Sequence, residues 1–202
     1  MMEPKNTSEI IEDLVNAYDH PKVFKFLHIP VQSGDDHVLQ AMNREYTVKD
    51  FLEIVNSFRR RFSDLTISTD VIIGYHAETD ESFDLTYDLI GKVKPDIVNV
   101  TRFSPRELTA DFERRPKPTN VLKDQDRKIA ELHRQLIQEK FSAMIGREER
   151  ILITEDEKPG TMIGRDVAYR PVIVSASARK YTWHLVRITG FENTSLIGRI
   201  VD

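Results

Sequence analysis

The apolar positions of the N-terminal half of the chain alternate between two spacings. They recur at helical spacing over residues 10–18, where Ser8 is placed to be the helix N-cap. An extended apolar run then covers residues 23–29. Helical spacing returns after Thr47, which opens a predicted capping box, and a β-branched run follows over residues 65–74. Such a run is typical of a strand buried on both faces, as in a parallel sheet.

The alternation continues to residue 103. Thr79 predicts the start of another helix, because Asp80 and Glu81 in its first turn suit the positive end of the helix dipole. Residues 96–103 then predict a third strand. Helix and strand units in this order predict an α/β fold with parallel strands and right-handed crossovers.

A different pattern begins after residue 103. Helical spacing over residues 129–145 predicts a long helix, and Gly146 stands where a C-terminal cap is expected. Short β-patterns separated by turn residues follow at residues 150–154, 162–165, 170–174, 183–190 and 195–200. Such a series predicts a small closed barrel of the OB-like kind. We therefore divide the chain into an α/β part (residues 1–118), a connecting helix (residues 119–146) and a small all-β barrel (residues 147–202).

Composition narrows the classes of protein. The chain has 202 residues and a net charge of −4, which excludes a basic nucleic-acid coat over the whole surface but not a local basic face. Because the sequence has no cysteine, it has no disulfide, thiolate zinc site, cysteine nucleophile or thiolate for an iron–sulfur cluster. The six histidines show no ligand spacing, so no metal site is predicted. Without a signal region or an apolar run of membrane length, we expect a soluble, cytoplasmic protein with no membrane contact.

Polar residues follow the predicted strands at the edge where α/β folds place their ligands. Gln32 follows the first strand, Asp70 lies within the second, and Arg106 follows the third. Arg44 comes after a short predicted helix and can fold back over the same edge. An amide, a carboxylate and a guanidinium in one cleft suit a zwitterionic nucleoside. Spacing alone favours a plainer alternative, in which Asp70 binds backbone amides and Arg44 is a surface cation.

Three segments carry a family resemblance, and they stand in the order LHIPVQSGDDHVLQAMNREYT, TISTDVIIGYHAET and VNVTRFSPR. Together they resemble the second half of a radical S-adenosylmethionine (radical SAM) barrel of the TIM type, as found in the tRNA methylthiotransferases. The resemblance is to the archaeal and eukaryotic branch, which adds a methylthio group to threonylcarbamoyladenosine beside the anticodon. The tail from about Glu148, with AYRPVIV and VRITGFENTSLIGRIV, resembles the TRAM domain that closes those enzymes.

The resemblance implies roles for five residues. Gln32 and Asp70 would contact the ribose of S-adenosylmethionine, and Arg44 would hold its methionine carboxylate. The backbone from Ile72 to Gly74 would border the adenine. The site would be partial, because the full-length family also carries 4Fe–4S clusters and this sequence ligates none. We therefore expect the chain alone to be catalytically inactive.

Two loops depart from the family pattern. His76-Ala77 stands where the family has Pro-Gly before Glu78, and residues 107–109 replace Pro-Gly-Thr. We interpret Glu78 as a residue of loop architecture and helix capping. These loops border the reaction cavity in the family, so the departures bear on substrate binding.

The cluster-binding half of the family and the first strands of its barrel do not occur in this sequence. We expect an excised fragment or a separately encoded half, with that half as partner. A partial barrel leaves a sheet edge open, so self-association through residues 24–29 or 96–103 is also expected. One alternative is a stand-alone RNA-binding or accessory chain. Another is a different radical SAM barrel, such as a porphyrinogen-oxidising type, although the small terminal barrel argues against it.

The terminal barrel combines cations with aromatic residues, as small RNA-binding barrels do. The residues predicted to contact tRNA are Arg165, Tyr169, Arg170, Arg179, Lys180 and Trp183. Lys22 and Lys25 are expected to contribute less to RNA binding than this set. Residues 147–202 contain nine Lys or Arg and eight Asp or Glu, so composition alone equally allows Trp183 and Tyr169 to fill the barrel. The TRAM resemblance favours RNA binding.

Overall fold

The computed structural model describes residues 2–105, 117–158, 160–175 and 178–201. Arg106 and residues 107–109 of the departing loop lie outside the described residues. In chain order the elements are α1 (Pro4–Glu9), α2 (Ile11–Tyr18), β1 (Phe26–His28), α3 (Asp36–Ala41), α4 (Val48–Arg61), β2 (Thr66–Ile73), α5 (Asp80–Val93), β3 (Ile97–Arg102), α6 (Thr119–Ser142), β4 (Glu148–Lys158), β5 (Thr161–Asp166), β6 (Pro171–Val174), β7 (Trp183–Glu192) and β8 (Ser195–Ile200).

The start of the chain forms two short helices, and the prediction that Ser8 caps a single helix is wrong. Pro4 stands in the first turn of α1, where its missing N–H costs nothing. The Ser8 hydroxyl lies inside α1 and donates to the Lys5 carbonyl at 2.7 Å. The helix breaks at Ile10, whose backbone (φ −123°) is not helical, and α2 begins at Ile11 without a side-chain cap.

Strands β1, β2 and β3 form a parallel sheet in that order, which confirms the predicted α/β fold with parallel strands. The predicted capping box at Thr47 is present at the start of α4, and Thr79 caps α5. One face of β2, including Ile67 and Val71, packs in the core against the helices. Because side chains alternate along a strand, Asp70 points to the opposite face.

The edges of this sheet differ. The Met2 N–H donates to the His28 carbonyl at 2.9 Å, so the N-terminal residues already meet β1. Along its other side β3 has no strand neighbour among the described residues. In the whole of the chain that the structure describes, no helix combines the length and apolarity needed to cross a membrane.

The C-terminal strands close into a barrel in the order β4-β5-β6-β8-β7. All of the predicted strands occur, and β4 extends further than predicted, to Lys158. Helix α6 contributes to both cores: Leu122 and Ile129 pack on the parallel sheet, and Ile137 and Phe141 pack into the barrel. The prediction that Gly146 caps this helix is wrong.

The true end of α6 is at Ala143, the C-cap. Gly146 lies beyond it with φ +89°, and its N–H donates to the Ile188 carbonyl of β7 at 2.8 Å. Gly146 therefore belongs to the connection between helix and barrel, where its backbone pairs with a barrel strand.

A buried arginine joins the barrel to the α/β part. The two terminal nitrogens of Arg170 each donate to a carboxylate oxygen of Asp64 at 2.6 Å, and its Nε binds Asp166. Burial opposes the charge of Arg170, but the carboxylates of Asp166 and Asp64 outweigh it and raise the arginine pKa. The Lys25 N–H donates to the Val167 carbonyl at 2.8 Å and adds a backbone contact between the two parts.

Replacing Gly74 with alanine is expected to lower the free energy of unfolding by about 2–3 kcal/mol, because two penalties combine. The backbone of Gly74 has φ +74°, and an added Cβ would lie 2.2 Å from Cδ2 of Leu122. Gly146→Ala is the matched control, since its φ is +89° but no atom lies within 4 Å of its Cβ position. Urea unfolding of both variants measures the difference. Equal losses would show that the contact with Leu122 relaxes without cost.

Candidate functional site

A row of polar side chains crosses the face of the parallel sheet that the helices leave uncovered. Asp70 of β2 lies between His28 of β1 and Asn99 of β3. His28 Nε2 lies 3.0 and 3.1 Å from the two Asp70 oxygens, and Asn99 Nδ2 donates to Asp70 Oδ1 at 2.7 Å. A carboxylate has about four lone-pair positions, so Asp70 keeps acceptor capacity for a ligand hydroxyl. Asp70 is thus held in one orientation and can still accept a hydrogen bond from a ligand hydroxyl.

Gln32 lies beside this row, as the sequence predicted. Its N–H donates to the Asp70 carbonyl at 2.9 Å, and its carbonyl accepts from the Ile72 N–H at 2.8 Å. Gln32 has φ +67°, a conformation that costs a non-glycine residue free energy and is often found at functional sites. The structure therefore brings Gln32, Asp70 and Ile72 together at the carboxyl end of the sheet.

Arg44 lies beyond α3, at the same end of the sheet. The Tyr75 hydroxyl, just past β2, donates to the Ala41 carbonyl at the end of α3 at 2.9 Å. Arg44 Nε is buried and has no hydrogen-bond partner among the described residues, and Nη1 lies 3.6 Å from the Glu3 carboxylate. Burial raises the pKa of neighbouring Tyr46 to about 12, with Arg44 opposing the shift, so this tyrosine stays protonated. Because its Nε has no partner among the described residues, the Arg44 guanidinium retains donor capacity for an anion.

Glu78 and Gln125 shape the loop after β2. Glu78 Oε1 accepts from the Gly74 N–H at 3.2 Å, from Lys117 Nζ at 2.9 Å and from Gln125 Nε2 at 3.0 Å. These contacts agree with the interpretation of Glu78 as loop architecture, whereas the residue that caps the following helix is Thr79. No local pattern indicated Gln125, because its partner Glu78 lies on a distant loop. Among the described residues, no group of three or more His, Asp or Glu is placed to hold a metal ion.

Part of the predicted RNA-binding set shares one outer face of the barrel. Leu152 of β4 pairs with Arg165 of β5 on one side and with Trp183 of β7 on the other. The Arg165 guanidinium lies over the Tyr169 ring at 5.0 Å. Arg150, which the sequence analysis did not single out, lies over the Trp183 ring at 5.1 Å.

The remaining members of that set are placed differently. Arg179 and Lys180 precede β7, and Lys180 forms an ion pair with Asp156. Arg170 is buried in the ion pairs that join the two parts of the chain and does not reach the outer face. Its guanidinium is drawn inward because Asp166, which is fully buried, needs a counter-ion.

Comparison with known proteins identifies the family of the chain. Residues 3–90 match the family model described as the radical SAM superfamily. The chain is 38% identical over 200 residues to a probable threonylcarbamoyladenosine tRNA methylthiotransferase of Archaeoglobus fulgidus, covering 99% of this chain and 47% of that protein. It is 36% identical over 201 residues to the protein of the same name from Pyrococcus horikoshii, covering 100% of this chain and 47% of that protein. It is 32% identical to the threonylcarbamoyladenosine tRNA methylthiotransferase of Drosophila pseudoobscura pseudoobscura, and the alignment covers 100% of this chain and 36% of that protein.

A solved structure, coproporphyrinogen III oxidase from Escherichia coli, aligns with a TM-score of 0.48 and 20% identity over 69% of this chain and 31% of that one. So low a TM-score carries no conclusion about function. The parallel sheet and the family match define a radical SAM protein. Within that class, the chain belongs to the family of the threonylcarbamoyladenosine tRNA methylthiotransferases. It spans less than half the length of these relatives.

Proposed function

We propose that this chain is the C-terminal portion of a tRNA methylthiotransferase that adds a methylthio group to threonylcarbamoyladenosine beside the anticodon. In this proposal the parallel sheet is part of a TIM-type radical SAM barrel, α6 is the connecting helix, and residues 147–202 form a TRAM domain. Identity over nearly the whole chain to relatives of that name supports the assignment. The side of β3 that has no strand neighbour among the described residues is where the remaining half, or a second copy, would pair.

The carboxyl end of the sheet is the proposed S-adenosylmethionine site. This assignment rests on one arrangement of residues. Backbone hydrogen bonds join Gln32 to Asp70 and Ile72, and the Asp70 carboxylate beside them is held by His28 and Asn99. Gln32 and Asp70 hold the ribose hydroxyls, and the backbone of Ile72 and Gly74 borders the adenine.

Arg44 completes this site. Its guanidinium binds the methionine carboxylate, and its buried Nε without a partner fits that role. S-adenosylmethionine would supply the one-carbon and radical chemistry of the family. The residues of this chain bind and orient it.

The residues of this chain do not fit an iron–sulfur cluster. The sequence contains no cysteine, and cluster ligands are thiolates in nearly all such sites. The clusters of the full-length family would therefore need ligands from another chain or segment, and no step of the reaction is assigned to this chain through them.

A hybrid enzyme tests the proposed function. The portion of the Archaeoglobus fulgidus relative that this chain does not match is joined to this chain, and tRNA nucleosides are analysed by mass spectrometry. We expect methylthiolated threonylcarbamoyladenosine. Asp70→Asn and Arg44→Gln should each lower its formation at least tenfold, because each removes about 1.4 kcal/mol or more of cofactor binding.

Asp84→Asn and Arg60→Gln are the matched controls, since both lie on exposed helix surfaces and should leave product formation unchanged. S-adenosylmethionine binding to the hybrid is measured by calorimetry in parallel. A hybrid that binds S-adenosylmethionine through Asp70 but makes no product would contradict the assigned reaction. A hybrid insensitive to Asp70 and Arg44 would contradict the assigned site.

The barrel is the proposed tRNA-binding part, and its binding should weaken steeply with salt because counterion release supplies most of the affinity. Reversing the charges of Arg179 and Lys180 to glutamate should lower tRNA affinity roughly five- to tenfold near 0.1 M salt. Lys92→Glu with Lys123→Glu, two exposed lysines on α5 and α6 outside the barrel, is the control pair. Filter binding measures both. Equal losses would place the RNA contact elsewhere.

RNA binding without any product from the hybrid would favour the second candidate function, a stand-alone RNA-binding or accessory chain. The outer barrel face, with Arg165, Tyr169 and Trp183 together, supports that function independently of the S-adenosylmethionine site.

A further inference from the structure

A cleft of about 850 Å³ separates the α/β part from the barrel. One wall is the segment between α2 and β1, with Lys22 and Phe24, together with the end of α4. The other wall is the outer barrel face, with Arg150, Leu152 and Trp183. The cleft is thus lined by both parts of the chain and is distinct from the polar row on the parallel sheet.

The cleft carries an excess of positive charge in a chain whose net charge is −4. Four Lys or Arg and two Asp line it. Both carboxylates are already neutralised, because Asp19 pairs with Arg61 and Asp64 pairs with Arg170.

The cations without carboxylate partners face this space. Lys22 and Arg150 form no ion pair among the described residues, and both are exposed. Lys25 Nζ donates to backbone carbonyls of the same wall, including the Val23 carbonyl at 3.0 Å. The cleft is therefore suited to an anion. Lys22 and Lys25, which were expected to contribute less to RNA binding than the barrel set, line this cleft.

An aromatic surface lies beside these cations. Trp183 is 41% exposed, although it belongs to a strand of a closed barrel. Leu152 is the cross-strand neighbour of Trp183, and the Arg150 guanidinium lies over its ring, so the indole has an apolar side chain and a cation beside it. Exposed aromatic rings next to Lys and Arg bind unpaired bases by stacking, with the phosphates held by the cations.

We propose that this cleft binds an unpaired nucleotide of RNA, with its base against Trp183 and its flanking phosphates near Lys22 and Arg150. The inference rests on the proposed function in taking RNA as the partner, and it adds where and in what form the RNA binds. The volume lies in the range of small-ligand pockets, which admits a nucleotide and excludes a duplex. The ion pairs of Arg170 with Asp64 fix the two walls relative to each other, so the cleft is preformed.

Trp183 is the single tryptophan of the sequence, so its fluorescence reports on the cleft alone. The full chain is titrated with a nine-nucleotide single-stranded RNA and, separately, with the blunt-ended duplex of that RNA and its complement. We expect the single strand to quench the fluorescence and the duplex to leave it unchanged. Anisotropy of a labelled oligonucleotide then gives the affinities of the variants.

Trp183→Ala should weaken binding of the single strand about tenfold, and Trp183→Phe should retain most of it because a ring remains for stacking. Lys22→Glu should weaken binding more than Lys123→Glu, its exposed control on α6. Circular dichroism melting checks that each variant is folded.

The outcomes separate this inference from the proposed function. If tRNA binds and depends on Arg179 and Lys180 but not on Trp183 or Lys22, the cleft assignment is overturned and RNA binding by the barrel stands. If the unaltered chain binds no RNA at all, both are overturned. Quenching by a glutamate-rich peptide but not by single-stranded RNA would show that the cleft takes an acidic protein segment, and would also overturn the inference.

Discussion

Arg170→Met is expected to lower the free energy of unfolding by about 3–5 kcal/mol, the usual effect of removing one partner from a buried ion pair. Methionine preserves much of the side-chain volume but leaves Asp166, which is 0% exposed, without its counter-ion. It also removes both bonds to Asp64 across the junction between the two parts. Urea unfolding followed by circular dichroism measures the loss.

Arg187→Met is the matched control, because Arg187 forms an exposed ion pair with Glu148 on the barrel surface. Such a pair contributes about 1 kcal/mol or less. The double variant Asp166→Asn with Arg170→Met should be less destabilised than Arg170→Met alone, since the buried charge is removed with its partner. A loss below about 1 kcal/mol for Arg170→Met would show that water reaches Asp166.

The chain alone is expected to form no 5′-deoxyadenosine from S-adenosylmethionine, even after anaerobic treatment with iron, sulfide and a strong reductant. Reductive cleavage needs an electron from a cluster, and the sequence contains no thiolate to ligate one. Chromatography with mass spectrometry measures the product. The hybrid with the Archaeoglobus fulgidus portion is the positive control. Product from the chain alone above the level without protein would contradict this expectation.

Local patterns predicted most elements of the fold. Thr47 and Asp50 were sufficient to locate the start of α4, because a capping box is a contact within one turn. The β-branched run at residues 65–74 located β2, since β-branched side chains favour extended backbone. The break at Ile10 was missed because two short helices and one longer helix share the same apolar spacing.

Contacts between distant residues explain what the sequence did not reveal. Arg170 was assigned to the RNA-binding surface from its neighbours in the chain, yet its partner Asp64 is 106 residues away. His28 and Asn99 meet Asp70 only after three strands align in register, so nothing in their own surroundings indicated the polar row. The proximity of Gln32 to Asp70 was predictable because strand ends in a parallel sheet share one edge.

Helix α6 makes the two parts of the chain difficult to separate. Its N-terminal half covers the parallel sheet, while Ile137 and Phe141 fill one end of the barrel. Cutting the chain at residue 146 would leave the barrel open at that end and would expose Ile137 and Phe141 on the other piece. Because α6 packs in both cores, loss of packing in one core weakens the other. We therefore expect the two parts to unfold in one cooperative transition. The smallest autonomous piece that contains the barrel therefore starts before α6, not after it.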